Sequence, residues 1–80
     1  MTLYRIVAPV SGVFYQRPSP GEPPFKAVGE AVSVGETVGL IEVMKTFFPL
    51  EAETAGRLVR FVAKDNVEIE TGDPLVELEY

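Results

Sequence analysis

The residues with the most chemical potential are Glu42-Val43-Met44-Lys45. They lie between two apolar, strand-like runs, Val38-Gly39-Leu40-Ile41 and Phe47-Phe48-Pro49-Leu50, which places Lys45 at the tip of a hairpin. A lysine amine carries its proton at neutral pH and is a poor nucleophile until a partner removes it. Any covalent chemistry at such a residue therefore depends on a partner enzyme. A lone lysine on a protruding turn is otherwise a solvated charge. This turn, however, breaks a local rule. A two-residue hairpin favours Asn-Gly or Asp-Gly, because both central residues need positive φ. Met44-Lys45 contains neither Gly nor Asn, and a turn with the wrong local chemistry marks a candidate functional site.

The rest of the composition removes other chemistries. The chain has no histidine, the commonest general base, and no cysteine, so neither a disulfide nor a thiolate metal site is expected. Net charge is −5 without a basic cluster, which disfavours nucleic acid. No apolar run approaches the roughly 20 residues of a membrane-spanning helix. No basic-then-apolar leader opens the chain, so a cytoplasmic location away from membranes is expected. Eighty residues, 46% of them hydrophobic, read as one small folded domain over 1–80. Such a domain buries only about 60% of its unfolded surface and has no room for a lidded cleft. These absences argue against an enzyme complete in itself and suit a carrier served by partners. Acids such as Asp65 and Asp73 sit in turn contexts where a structural role is ordinary.

The elements that must position Lys45 are short strands. Apolar runs rich in Val, Ile, Leu and Phe are interrupted at close intervals by turn residues, and no helical period is sustained. Strands are expected near 3–7, 10–15, 31–34, 38–43, 46–52, 56–63, 66–69 and 75–79. The two halves resemble each other. Ala8–Gly12 aligns with Ala52–Gly56 at an offset of 44, Gly29–Val32 with Lys64–Val67 at 35, and Gly35–Val38 with Gly72–Leu75 at 37. A duplicated half-domain points to a pseudo-twofold flattened barrel. Strand parity then assigns faces. Gly39, Ile41, Val43, Phe48, Leu50, Ala52, Val76, Leu78 and Tyr80 face the core, while Glu42, Phe47, Pro49, Glu51, Glu53, Glu77 and Glu79 face outward.

The fall in offset from 44 to 35 implies about nine extra residues between Phe14 and Val28, including Pro18, Ser19, Pro20, Pro23 and Pro24. So many prolines exclude a central strand and stiffen a loop. Without further information it is a tolerated surface insertion.

Glu42-Val43-Met44-Lys45 resembles the attachment motif of biotin carboxyl carrier proteins, usually Glu-Ala-Met-Lys-Met. Ala8-Pro9-Val10-Ser11-Gly12-Val13-Phe14-Tyr15 followed by Arg17-Pro18-Ser19-Pro20-Gly21 is similar to the carrier subunit of bacterial acetyl-CoA carboxylase. So are Gly35-Glu36-Thr37-Val38 and Gly72-Asp73-Pro74-Leu75-Val76-Glu77-Leu78-Glu79, and the likeness covers roughly residues 6–79. The resemblance implies an all-β fold: a flattened barrel of two four-stranded antiparallel sheets, with the lysine hairpin (about 42–47) at one end and both termini at the other. It implies that the insertion (about 15–25) is the protruding thumb of such carriers, including Pro18, Ser19 and Pro20, with Gly21-Glu22-Pro23-Pro24 richer in proline than the family's usual tip. It implies that a biotin protein ligase joins biotin covalently to Lys45, with Glu42, Val43 and Met44 as flanking recognition or turn residues. The product amide would move the formal charge from −5 to −6. The carrier would then shuttle a carboxyl group from a biotin carboxylase to a carboxyltransferase in fatty acid synthesis, without catalysing either step. For Met44 a second role, capping the barrel end, is compatible with recognition.

The motif also departs from the family. Val43 stands where Ala is usual, Thr46 where Met or Leu is usual, and Phe47-Phe48-Pro49 is unusually aromatic. Phe47 is then either a partner contact or an isolated exposed apolar residue. Rival readings are a carrier for another biotin-dependent carboxylase, a lipoyl carrier, an unmodified interaction module and a stand-alone enzyme. Lipoyl carriers usually place an acid before the lysine, where Met44 stands, and lack the thumb.

Overall fold

The structure, a computed structural model, describes residues 2–80. Eight strands form: β1 Leu3–Val7, β2 Gly12–Tyr15, β3 Ala31–Val32, β4 Thr37–Val43, β5 Thr46–Glu51, β6 Gly56–Phe61, β7 Val67–Ile69 and β8 Pro74–Glu79. Each lies within two residues of its expected span. They build two four-stranded antiparallel sheets, in the orders β1-β8-β6-β3 and β5-β4-β2-β7. Advancing every strand of the first order by four, with β8 returning to β4, gives the second. The pseudo-twofold expected from the repeated segments is therefore present in the strand pairing.

The core is assembled from equivalent pairs. Phe14 and Leu58 are both fully buried and 44 residues apart. Ile41 and Leu78, and Val38 and Leu75, are buried pairs 37 apart. Phe14 pairs with Ile41 across β2 and β4, and Leu58 with Leu78 across β6 and β8. The turns repeat as well. Ala8 N–H donates to the Asp73 carbonyl at 2.8 Å, and Ala52 N–H donates to the Glu36 carbonyl at 2.9 Å.

One aligned segment needs correction. Gly29 N–H donates to the Leu58 carbonyl, and Asn66 N–H to the Phe14 carbonyl, each at 2.8 Å. Gly29 and Asn66 both have positive φ, and buried Val32 and Ile69 follow each at the same distance. The middle segment therefore aligns at an offset of 37, not 35. Seven residues (44 − 37), not nine, are inserted between Phe14 and Gly29. The identity of one Val with another misaligned the sequences, whereas the left-handed residue marks the true equivalence.

Parity assigns most faces correctly, but not every burial. Gly39, Ile41, Leu50, Ala52, Val76 and Leu78 are buried, and Val43 packs against the core. Phe48 lies opposite Ile41, on the core face, yet is 47% exposed. β5 is an outer strand and Phe48 lies toward its hairpin end, whereas Leu50, two residues on along the same face, stays 4% exposed. Tyr80 is 60% exposed, because it lies one residue beyond β8 and past the last core layer. Glu77 points outward from β8 but is only 4% exposed. It is covered from both neighbouring strands: Arg60 Nε donates to its Oε1 at 2.7 Å and Arg5 Nε to its Oε2 at 2.8 Å. Those two bonds hold its carboxyl below the usual carboxylate range.

Candidate functional site

The end of the molecule around Lys45 is set by the β4–β5 ladder. Val43 pairs with Thr46, leaving Met44 and Lys45 as a two-residue turn. Their φ angles are 50° and 67°. This is the left-handed pair that a primed hairpin turn requires, here made by two residues with Cβ atoms. Such residues cost about 1–2 kcal/mol each relative to ordinary backbone. The ladder on either side imposes the geometry. Val43 anchors the turn by packing on the core, while Met44, Lys45 and Thr46 are all exposed. Met44 is 92% exposed, so it does not cap the barrel end, because the turn carries its side chain away from the core. Among the described residues no ion pair engages Lys45.

Glu42 is not a freely solvated strand residue. It is half-buried on the outward face, and the Tyr15 hydroxyl donates to its Oε1 at 2.8 Å. That bond, with partial burial adding to it, raises the Tyr15 phenol above its ordinary pKa. The Tyr15 ring also meets Phe47 on β5, with centroids 6.1 Å apart and planes tilted by 48°, a normal aromatic pair. Phe47 remains 54% exposed.

Beyond Tyr15 the inserted loop begins. Phe25 N–H donates to the Gln16 carbonyl at 3.0 Å and closes its base. Its tip is a turn from Ser19 to Glu22, closed at 3.2 Å, with Pro20 and Gly21 (φ 84°) at the central positions, a type II pattern. The loop is fastened rather than loose. Asp65 accepts from Gln16 N–H at 2.7 Å and pairs with Arg17 at 3.3 Å, and Arg17 Nη1 donates to the Glu22 carbonyl at 2.9 Å. At the far end Lys26 pairs with Glu36 at 2.8 Å. This contact raises the Lys26 pKa and lowers that of Glu36. Asp65 thus has the structural role expected of it, as does Asp73, whose Oδ2 accepts from Glu70 N–H at 2.8 Å.

The loop, β5 and residues 65–66 line a half-open pocket of about 460 Å³, walled by Tyr15, Pro18, Ser19, Pro20, Phe47 and Asn66 together with the Arg17–Asp65 pair. The structure therefore brings Pro18, Ser19 and Pro20 together with Phe47, and Tyr15 joins both to Glu42. Sequence reasoning assigned Tyr15 no role. The available signal was parity: it alternates with buried Phe14 and so projects onto the face that carries Glu42. Among the described residues no His, Cys, Asp and Glu cluster could hold a metal ion, and no helix is long and apolar enough to cross a membrane.

Two antiparallel sheets related by an internal twofold, with an exposed lysine on a left-handed two-residue turn, define a carrier domain of the biotinyl and lipoyl type. The chain belongs to the family described as Biotin-requiring enzyme, which it matches over residues 5–78. It is 41% identical over 68 residues to the biotin carboxyl carrier protein of acetyl-CoA carboxylase 2 of Arabidopsis thaliana chloroplasts, covering 85% of this chain and 27% of that protein. It is 39% identical over 74 residues to the biotin carboxyl carrier protein of acetyl-CoA carboxylase of Pyropia yezoensis, covering 92% and 47%. Among solved structures it superposes on Kluyveromyces lactis urea carboxylase with a TM-score of 0.81 and 25% identity, covering 99% of this chain and 6% of that one. The chain spans between about a quarter and a half of the length of these two carrier relatives. Biotin is the cofactor of the family.

Proposed function

We infer that residues 1–80 form one biotinyl domain in which Lys45 carries covalent biotin. On this reading the domain is the biotin carboxyl carrier of an acetyl-CoA carboxylase. The observation that carries it is the turn. The fold holds two exposed residues with side chains in left-handed backbone, and one of them is a lysine with no ion-pair partner among the described residues. A turn optimised for stability would place Asn or Gly there. The residues present suit the group: an exposed amine with no ion-pair partner among the described residues for the amide bond, and a half-open pocket between loop and hairpin whose wall includes Pro18, Pro20 and Phe47.

When bound, biotin supplies a ring nitrogen that accepts and releases a carboxyl group. This chain contributes presentation. The Val43–Thr46 pairing fixes the direction in which Lys45 leaves the barrel, so a partner meets one geometry and recognition loses little ordering entropy. Met44 projects beside it as a recognition surface for a biotin protein ligase. A ligase would take the amine proton and join Lys45 Nζ to a biotin carboxyl activated by ATP, with AMP as the leaving group. Tethering then provides effective concentration, typically millimolar for a short link, at a biotin carboxylase and a carboxyltransferase. The chain performs neither reaction. The loop containing Pro18, Ser19 and Pro20 is read as the thumb. Acetyl-CoA is favoured as the acceptor because the carrier relatives above are named for acetyl-CoA carboxylase.

The test is the intact mass after incubation with biotin, ATP and a biotin protein ligase, beside Lys45→Arg. One added biotinyl group, absent from the variant, is expected. No addition by a ligase that labels a control carrier overturns the reading.

A further inference from the structure

We propose that the outer edge of β1 is a docking site for an extended segment of a partner protein, one that alternates apolar and basic side chains and joins the first sheet as a fifth strand. The proposal does not depend on what Lys45 carries. Each sheet ends in two outer strands: β1 and β3 in one, β5 and β7 in the other. β3 has two residues and β7 three, so each offers little ladder to an added strand. β1 and β5 are the long edges, equivalent at the offset of 44. On β1 the Thr2–Tyr80 and Ala8–Asp73 bonds show that Tyr4 and Ile6 turn their backbone groups to β8. The N–H and C=O groups of Leu3, Arg5 and Val7 therefore point away from the sheet. On β5 that side is presented by Phe47, Pro49 and Glu51. Pro49 stands where Arg5 stands in the other half and has no N–H to donate. One long edge is closed at its centre, and its equivalent is open.

Shape and charge define the segment. Arg5 is the one charged residue of β1, and it turns back over the sheet to Glu77 at 2.8 Å, so it does not guard the edge. Leu3 and Val7, on the same outward face, are 56% and 47% exposed. Apolar side chains of an added strand would cover them as cross-strand neighbours. The other face of that strand would lie over a groove of about 550 Å³ between β1 and β5, lined by Tyr4, Ile6, Val34, Leu50, Glu51 and Glu53 among others. Both acids are exposed, and among the described residues neither is in an ion pair, although Glu53 accepts from the Tyr4 hydroxyl at 3.3 Å. They suit lysine or arginine side chains reaching down from the added strand. Main-chain bonds supply the affinity of such an addition, and the alternating side chains its specificity. Met44 and Lys45 do not line the groove. A partner held at this edge anchors the domain and leaves the lysine turn accessible.

The probe is a capped heptapeptide of alternating lysine and valine, at about 1 mM, with a glutamate–valine peptide of the same length as control. The readouts are amide hydrogen exchange by NMR and binding by titration. With the basic peptide the Leu3, Arg5 and Val7 amides should exchange about tenfold more slowly, and those of Phe47 and Glu51 should not change. The acidic peptide should give no protection. Arg5→Pro closes the β1 edge as Pro49 closes β5, and should weaken binding about tenfold. Arg5→Ala loses the same ion pair but keeps the N–H, and should bind within about twofold of wild type. The double variant Glu51→Lys with Glu53→Lys keeps the edge intact and should weaken binding about fivefold. Protection at Ile41 and Leu78 shows that each variant is folded. If Arg5→Pro does not fold, the double variant and the acidic peptide decide. No protection along β1, equal binding of the two peptides, protection at Phe47 and Glu51 instead, Arg5→Ala as weak as Arg5→Pro, or a dimer of the protein that forms through β1 and excludes the peptide each overturns the proposal.

Discussion

Thr2 and Tyr80 exchange two backbone hydrogen bonds, each 2.9 Å long, at the place that Val43 and Thr46 occupy in the other half of the molecule. The offsets make this an identity of position: 43 + 37 is 80, and 46 − 44 is 2. The same rung is formed whether or not a turn joins its ends. The barrel therefore dictates the rung, and Met44-Lys45 is a two-residue bridge laid across a separation it does not choose. That is why two unsuited residues accept left-handed backbone.

If the turn is strained by its residues, relieving one should stabilise the fold. Met44→Asn places a residue tolerant of positive φ at the first turn position and leaves Lys45 in place. The free energy of unfolding should rise by about 0.5–1 kcal/mol. Urea unfolding at neutral pH measures it, and a variant less stable than wild type sinks the argument.

Glu77 should make stability depend on acid. Its folded pKa lies below the ordinary value, held there by Arg60 and then Arg5. A carboxyl lowered in the folded state contributes fully above its unfolded pKa, and the contribution is lost as pH falls through the folded one. Stability should thus decline below about pH 4.5, the ordinary glutamate value. Glu77→Gln should be less stable at pH 7 and show a shallower decline in acid, read from urea midpoints across that range. Parallel pH curves for the two proteins would refute the assignment.

Tyr15 predicts the opposite limb. A phenol raised in the folded state contributes below its unfolded pKa and loses the contribution as pH rises through the folded one. Phenolate absorbance should show a component titrating above the ordinary 10.0 that moves downward in Glu42→Ala. Tyr4 is raised too, chiefly by burial and then by Glu53, so its component should not move. A spectrum identical in the two proteins counts against the bond.

Gly39 tests the packing beneath the hairpin. A Cβ built there would lie 2.6 Å from Phe14 Cε1 and 2.9 Å from the Tyr15 carbonyl oxygen. Gly39→Ala should cost about 1–3 kcal/mol through overpacking, although alanine suits a strand better than glycine. The contacted ring is fully buried and cannot swing away, so a neutral effect in thermal unfolding would contradict the packing described.

The sequence alone determined the strand plan, the face of most core residues, the duplication and the lysine hairpin. Each is a local matter: alternation over a few residues, turn residues between runs, and short segments that recur. It misjudged what depends on neighbours distant in the chain. Glu77 reads as a solvent residue by alternation and becomes buried because Arg5, 72 residues away, and Arg60 close over it. Phe48 reads as core and is half open toward the hairpin end of an edge strand, while Leu50 on the same face is buried. Tyr15 had no assigned role until the barrel brought it beside Glu42, 27 residues on, and Phe47. The positive φ of Met44 and Lys45 is likewise imposed by the ladder against their intrinsic preference. Alternation and turn propensity are written residue by residue. Hydrogen-bond partners, edges and strain arise only once the sheets have closed.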